Sequence, residues 1–330
     1  MFSYIARRIL YMIPILLVIS IISFTLIQLP PGDYLTSYIA QLSVAGESVD
    51  QTTLASLKKR YGLDKPIYVQ YFMWIKGVLQ GDFGQSFEWN MPVSKLIGER
   101  LLLTVIISLF SLIFTYIVAI PIGIYSATHQ YSLADYFFTS VGFLGLATPN
   151  FLLALVLMFL FYKYFGISVG GLFSPEFIEA SWSWAKIVDM INHMWIPVIV
   201  IGTAGTCGLI RVMRGTLLDE LRKQYVITAR AKGVGEKKLL FKYPVRIAIN
   251  PIISTIGWTL PQIISGASIT AIVLNLPTTG PLLLKALMSQ DMYLAGSFIL
   301  ILATLTVIGT LISDILLAWL DPRIRYERRS

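Results

Sequence analysis

Side chains able to do chemistry are sparse and scattered in this sequence. Its one cysteine, Cys207, and its two histidines, His129 and His193, are too few and too far apart for a disulfide framework or a His/Cys metal cluster. Neither a G-x-S-x-G elbow nor an H-E-x-x-H pair occurs, so no hydrolytic nucleophile or zinc-protease site is expected. The G-x-x-x-x-G-K-[ST] phosphate loop is missing as well, and the chain is not expected to bind ATP itself. The sequence therefore predicts no catalytic residue, no metal ligand and no cofactor of its own. Asp314 is the one carboxylate well inside an apolar run, where an acid is a functional candidate by default. Its place near the end of that run suits a structural ion pair with a loop arginine. The densest charge lies between Arg211 and Arg246, where ten basic residues face three acidic ones.

The elements that must carry these residues are apolar. The chain has 330 residues, is 56% hydrophobic and only 13% charged, against about 25% charged in soluble domains. A bilayer core about 30 Å thick needs about 20 apolar residues in a helix. Six runs meet or approach that length: Ile9 to Leu29, Leu101 to Ala127, Phe137 to Tyr162, Trp195 to Ile210, Ala248 to Leu274 and Ser297 to Leu320. Arg211 closes the fourth early. The first is too long for a signal peptide and lacks a small-residue cleavage site, so it reads as a retained helix. The fold class is all-α integral membrane, with about six transmembrane helices.

Charge placement gives orientation. Sixteen of the 26 basic residues fall in three segments: before the first span, between Arg211 and Arg246, and after the last span. Positive charge favours the cytoplasmic side of short loops, and six spans put all three segments there, with both termini cytoplasmic. The net charge of +8 thus reports topology and does not call for nucleic acid. The short loop between the second and third spans fits less well, because it holds Asp135 and no Lys or Arg.

This divides the chain into an N-terminal segment and first helix at 1–30, an external helical subdomain at 31–100, a five-helix core at 101–320 and a cytoplasmic tail at 321–330. In the external part, Ser48 to Gly62 reads as one capped amphipathic helix. A second follows, with Asp64 as its cap, Pro66 near its first turn, and Ile67, Tyr71, Trp74, Ile75 and Val78 on one side. This layer can rest on lipid or receive a partner protein. Within the core, the fifth span carries Pro251, Gly257, Pro261, Gln262 and Gly266; breaks of this kind suit a helix lining a pathway, and Pro261, Gln262, Gly266 and Asn275 are its candidate lining residues. Gly202, Ala204, Gly205 and Gly208 in the fourth span suit close helix packing.

The basic segment at 215–246 has helical periodicity on both sides of Gly233 and Gly235, so it predicts a helix, a turn and a helix across the membrane face. Such a unit can dock into a groove of a cytoplasmic partner, or an amphipathic basic helix can bind anionic lipid headgroups. Its wording, RVMRGTLLDELRKQYVITARAKGVGEKKLLFKYPVRIAINPI, closely resembles the coupling loop of the OppB/DppB family, the inner-membrane permeases of binding-protein-dependent ABC importers for oligopeptides and dipeptides. RYGLDKPIYVQYFMWIKGVLQGDFGQSF (Arg60 to Phe87), the ending LAWLDPRIRY within Leu311 to Tyr326, and Pro31-Gly32-Asp33 are similar to that family too.

The resemblance implies a type I ABC-importer permease in a prokaryotic inner membrane. Its implied partners are a second homologous permease subunit, two ATP-binding-cassette ATPase subunits that bind the ATP, and an extracytoplasmic substrate-binding protein. Membrane lipid surrounds it. Ala229 and Gly233 fall where the second alanine and the glycine of the permeases' coupling motif fall, while Ile227 stands in its glutamate position and Thr228 in its first alanine position. The coupling residues implied are thus Thr228, Ala229, Arg230, Ala231, Lys232, Gly233, Val234 and Gly235, with Ala229 allowing close approach to the ATPase. In TAIVLNLPTTGPLLLKAL, Ala271 stands where the family commonly has a glutamate, so oligosaccharide cargo stays open beside peptides. A secondary transporter or channel driven by an ion gradient is the competing class; it would ordinarily carry several intramembrane ionisable residues or repeated halves, which this sequence lacks.

Overall fold

The computed structural model describes residues 2–28 and 64–320, and among these every regular element is helical apart from one isolated bridge, Gln85 to Pro92. The first helix, α1, runs Phe2–Gln28, and its segment Ala6–Thr25 is long and apolar enough to cross a membrane. The expected Ser48 to Gly62 helix and the 321–330 tail lie outside the described residues. Helix α2, Ile67–Leu79, forms where expected, but Pro66 is its N-cap residue and no side chain caps it, Asp64 included. Proline at the threshold gives up no hydrogen bond, because the first helical amides have no intrahelical acceptor anyway.

Helix α3, Val93–Thr128, begins two turns before the expected second span. At 36 residues it is about 54 Å long. The expected third span, Phe137 to Tyr162, is instead two helices, α4 (Leu133–Ala147) and α5 (Asn150–Phe165), meeting at 105°. Pro149 causes the break: it lacks an amide proton and drives the preceding Thr148 into extended backbone (φ −90°, ψ 118°). Helix α6, Trp184–Leu221, runs three turns beyond Arg211, which does not close it.

Helices α7 (Gln224–Ala231) and α8 (Glu236–Lys242) follow. Then come α9 (Pro244–Ala248), α10 (Asn250–Ser254) and α11 (Ile256–Val273). The expected fifth span is thus divided at Ile249 and Thr255, with Pro244 and Pro251 opening the two short helices. Two more, α12 (Thr279–Met288) and α13 (Met292–Leu320), complete the described chain. By length and composition, four single helices among the described residues can cross a membrane, and the bent pair α4–α5 can supply a fifth crossing.

The chain divides into two compact units. The unit built mainly from Thr104–Pro277 packs Ala119 and Ala127 of α3 against Leu209, Ile210, Met213 and Leu217 of α6 and Val245, Ala248 and Ile252 of α9 and α10. Small residues let α3 and α6 approach. A Cβ on Gly123 would lie 2.5 Å from the Met213 Cβ, and one on Gly202 would lie 2.8 Å from the Phe114 ring. Gly202 and Gly205 thus serve the close packing that their spacing predicts. In the other unit, described parts of Ala6–Leu103 and Thr278–Val307 gather around Val93, Ile97, Ala286, Leu294 and Phe298. There Asp291 is fully buried and caps α13: its carboxylate accepts hydrogen bonds from Ser86 Oγ, the Glu88 amide (3.2 Å) and the Leu294 amide (3.2 Å). Burial pushes this carboxyl up from its ordinary range, while Ser86 and the amides pull it back down.

Candidate functional site

The basic loop after α6 folds as a small body with its own core. Val226 and Ala229 of α7 and Leu239 of α8 are buried together, with Tyr225, Val234 and Tyr243 packed around them. Helix α7 ends in a left-handed residue, Gly233 (φ +75°). The Val234 amide donates to Ala229 O (3.3 Å) and the Gly233 amide to Arg230 O (3.0 Å). This pair of bonds is the Schellman arrangement, which favours glycine because its missing Cβ avoids the left-handed clash. Val234 then packs back on Ala229, completing the stop.

Two polar contacts fasten the body. The Arg230 guanidinium grips the Glu236 carboxylate with two bonds (2.6 and 3.1 Å), tying the end of α7 to the first turn of α8. Arg230 holds the Glu236 carboxyl below its usual range. The Tyr225 hydroxyl donates to Glu220 at the end of α6, and burial together with that carboxylate pushes the phenol well up, so it stays protonated as a donor.

The residues singled out from sequence divide between two faces. Thr228, Arg230, Ala231, Lys232, Gly233 and Gly235 are exposed, and a Cβ on Gly233 or Gly235 would meet open space. Ala229 is 7% exposed and faces Val226 and Leu239, so the close approach it allows is inside the loop, where a partner was expected. Val234 is half-buried. Ile227 and Phe241 instead offer apolar surface, at 48% and 60% exposure.

Of the candidate lining residues, Asn275 alone has a described side chain. Pro261, Gln262 and Gly266 fall on α11, and their side chains lie outside the described residues. Asn275 is the left-handed stop of α11 (φ 52°), with its amide donating to Ile272 O (3.1 Å) and the next amide to Ala271 O (2.8 Å). Ala271 is buried at 3% exposure. Asp314 is half-buried on α13.

One buried ion pair escaped the sequence reading. Asp135, on the first turn of α4, takes two hydrogen bonds from Arg214 of α6, Nε to Oδ1 and Nη2 to Oδ2, both 2.8 Å. The Asp135 side chain is 3% exposed and that of Arg214 26%. Asp135 also accepts from the Tyr131 amide (3.0 Å), and Ser132 caps α4 by accepting from the Asp135 amide. The signal was there: an acid alone in a loop that charge placement puts on the basic side needs a basic partner. His129 stacks on Tyr125, and His193 sits within α6, where a loop was expected, with Nδ1 2.8 Å from Asp189 O.

Comparison with known proteins decides the family. The profile of the family described as "Binding-protein-dependent transport system inner membrane component" matches residues 119–326, and that of its N-terminal part matches residues 1–110. The chain belongs to this permease family of binding-protein-dependent ABC importers. It is similar to the oligopeptide transport system permease protein AppB of Bacillus subtilis (strain 168), 38% identical over 328 residues that cover 99% of this chain and 100% of that protein. The dipeptide transport system permease protein DppB of Alkalihalophilus pseudofirmus is 31% identical, covering 99% and 100%. The oligopeptide transport system permease protein OppB of Haemophilus influenzae is 30% identical, again covering 99% and 100%. The permease is accordingly a multi-pass component of the inner membrane.

Proposed function

We propose that this permease carries peptides delivered by an external binding protein, and that the loop spanning α7 and α8 seats on an ATP-hydrolysing subunit to receive the work of transport. The carrying observation is the loop's construction. A self-packed helix–turn–helix, closed by a Schellman stop and the Arg230–Glu236 clamp, moves as one piece, as a lever end must. Its exposed surface combines Ile227, Phe241 and the cations Lys232, Lys237 and Lys238, which suits a cleft with apolar walls and an acidic rim. On this reading the loop and both termini are cytoplasmic, ATP is bound by two partner ATPases, and a second homologous permease completes the pathway. Peptide cargo is favoured because AppB, DppB and OppB are named for oligopeptide or dipeptide transport. Oligosaccharide cargo keeps one argument, the buried Ala271 in place of an acid.

Gly233 provides the test. Asparagine tolerates the left-handed region, and nothing crowds a Cβ there, so Gly233→Asn keeps the turn while Gly233→Asp adds charge to the docking face. Gly233→Asp is expected to insert normally and lose substrate-stimulated ATP hydrolysis in proteoliposomes, with Gly233→Asn retaining most of it. Equal, parental rates in both variants would sink the coupling role. For cargo, unlabelled oligopeptides are expected to compete with uptake of a labelled peptide, and oligosaccharides are not.

A further inference from the structure

Helix α2 has an exposed face that the described residues of its unit leave uncovered. With 100° between successive residues, Tyr68, Phe72, Ile75 and Leu79 share one narrow stripe. Tyr68, Phe72 and Leu79 are 66%, 65% and 83% exposed. The neighbouring face is buried: Trp74 is 2% exposed and its ring stacks on Phe24 of α1 at 5.6 Å, while Tyr71 meets the same Phe24 edge-on at 5.5 Å. The Tyr71 hydroxyl also hydrogen-bonds Ser20 of α1 (2.8 Å). These contacts fix the level of the helix along α1.

Ser20 and Phe24 belong to the apolar span Ala6–Thr25, near its C-terminal end. At 1.5 Å per residue they lie about 8 and 2 Å inside that end. Helix α2 is therefore docked within the membrane-crossing part of α1. At the same level on α1, Ile21 and Ile22 are 43% and 51% exposed, as the lipid-facing side of a crossing helix should be. The stripe of α2 lies next to its α1-facing side. Helix α2 contains no acid; Lys76 flanks the stripe, and Lys65 precedes the helix with its amine on Met73 Sδ (3.4 Å).

We propose that α2 is an interfacial helix embedded in the lipid leaflet at the C-terminal end of α1, with Tyr68, Phe72 and Leu79 among acyl chains, Ile75 packed inward beside them, and Lys76 reaching phospholipid headgroups. Interfacial helices sink an apolar face about 5–10 Å below the headgroups, the depth that the α1 contacts set here. Tyrosine and lysine are also the residues that anchor at this boundary. The remaining side of α2, with Met73, Trp74 and Gly77, faces a cavity of about 360 Å³ shared with Asp82, Gly84, Gln85 and Tyr293. This inference depends on the membrane span of α1 and is independent of the coupling role, so either can fail alone.

The test is depth measurement in the assembled importer in phospholipid nanodiscs. In a Cys207→Ala background, nitroxide labels are placed by Phe72→Cys and Leu79→Cys, with Ile22→Cys as the lipid reference and Gln85→Cys as the water reference. Labels at 72 and 79 are expected to collide with oxygen and exclude a water-soluble nickel chelate, giving a ratio near that of position 22 and several-fold above position 85. Nickel access at 72 and 79 matching position 85 overturns the proposal. Exclusion of both reagents also overturns it, by placing a protein partner on the stripe. Tyr68→Cys gives an equivalent reading if either variant fails to assemble.

Discussion

At the scale of single residues, the pair Asp135–Arg214 carries the clearest energetic consequence. Two charge-assisted bonds of 2.8 Å join a carboxylate that is 3% exposed to a guanidinium on a neighbouring helix. Removing one partner leaves the other desolvated without compensation, whereas removing both leaves an apolar contact. Asp135→Ala is expected to destabilise the permease by about 3 kcal/mol, Arg214→Lys by about 1 kcal/mol because lysine cannot reproduce the fork, and Asp135→Ala with Arg214→Met by less than about 1 kcal/mol. Midpoints of denaturant unfolding in mixed micelles measure the series. A double variant as unstable as Asp135→Ala alone would show that the acid acts through Tyr131 and the α4 cap instead. The pair lies two turns before α6 ends at Leu221, so the same variants also report whether the end of α6 must be braced for ATPase stimulation.

At the scale of elements, glycines of one type have opposite roles on α3 and α6. Gly123 faces the Met213 Cβ and the Ile210 carbonyl, both fixed parts of α6 that no rotamer change can withdraw. Gly215, the residue after Arg214 on α6, has open space around its would-be Cβ. Gly123→Ala must push the two helices apart, at about 1–3 kcal/mol, while Gly215→Ala gains about 0.5–1 kcal/mol from helix propensity. Opposite shifts in Tm for the purified complex are expected, and a shared sign would mean that the α3–α6 crossing yields easily. Spacing made part of this legible: small residues in the fourth span announced close packing. It gave no sign of which glycines were crowded, since that depends on the partner helix. The helix break at Thr148 was legible in principle, because Pro149 removes an amide and restricts its predecessor, but the unbroken apolar run from Phe137 to Tyr162 hid it. Arg211 misled in the other direction: a charge ends an apolar run without ending a helix, and α6 continues where charged side chains find water or Asp135.

At the scale of the whole molecule, apolar length and helical class were readable because the bilayer imposes both on any chain that crosses it. The glycine turn of the loop was readable for a local reason, as left-handed backbone selects glycine, and Gly233 adopts it. The inward face of Ala229 was not, because α7 is too short for its periodicity to distinguish a core inside the loop from a partner outside it. The energy source follows from the same assembly. A gradient-driven carrier needs groups inside the membrane that bind the ion, and the sequence offers Asp314 alone among acids well inside an apolar run. A permease of a binding-protein-dependent importer has no need of such a group if, as proposed above, its work arrives through the loop. In proteoliposomes carrying the complete importer, uptake is therefore expected to persist when proton and sodium gradients are collapsed while ATP is present, and to stop when ATP is removed with the gradients intact. Asp314→Asn should leave ATP-driven uptake within about twofold, the span of roughly 0.4 kcal/mol in activation free energy. Uptake that fails with the gradients collapsed, or that Asp314→Asn abolishes in a correctly assembled complex, would return the protein to the class of ion-coupled carriers.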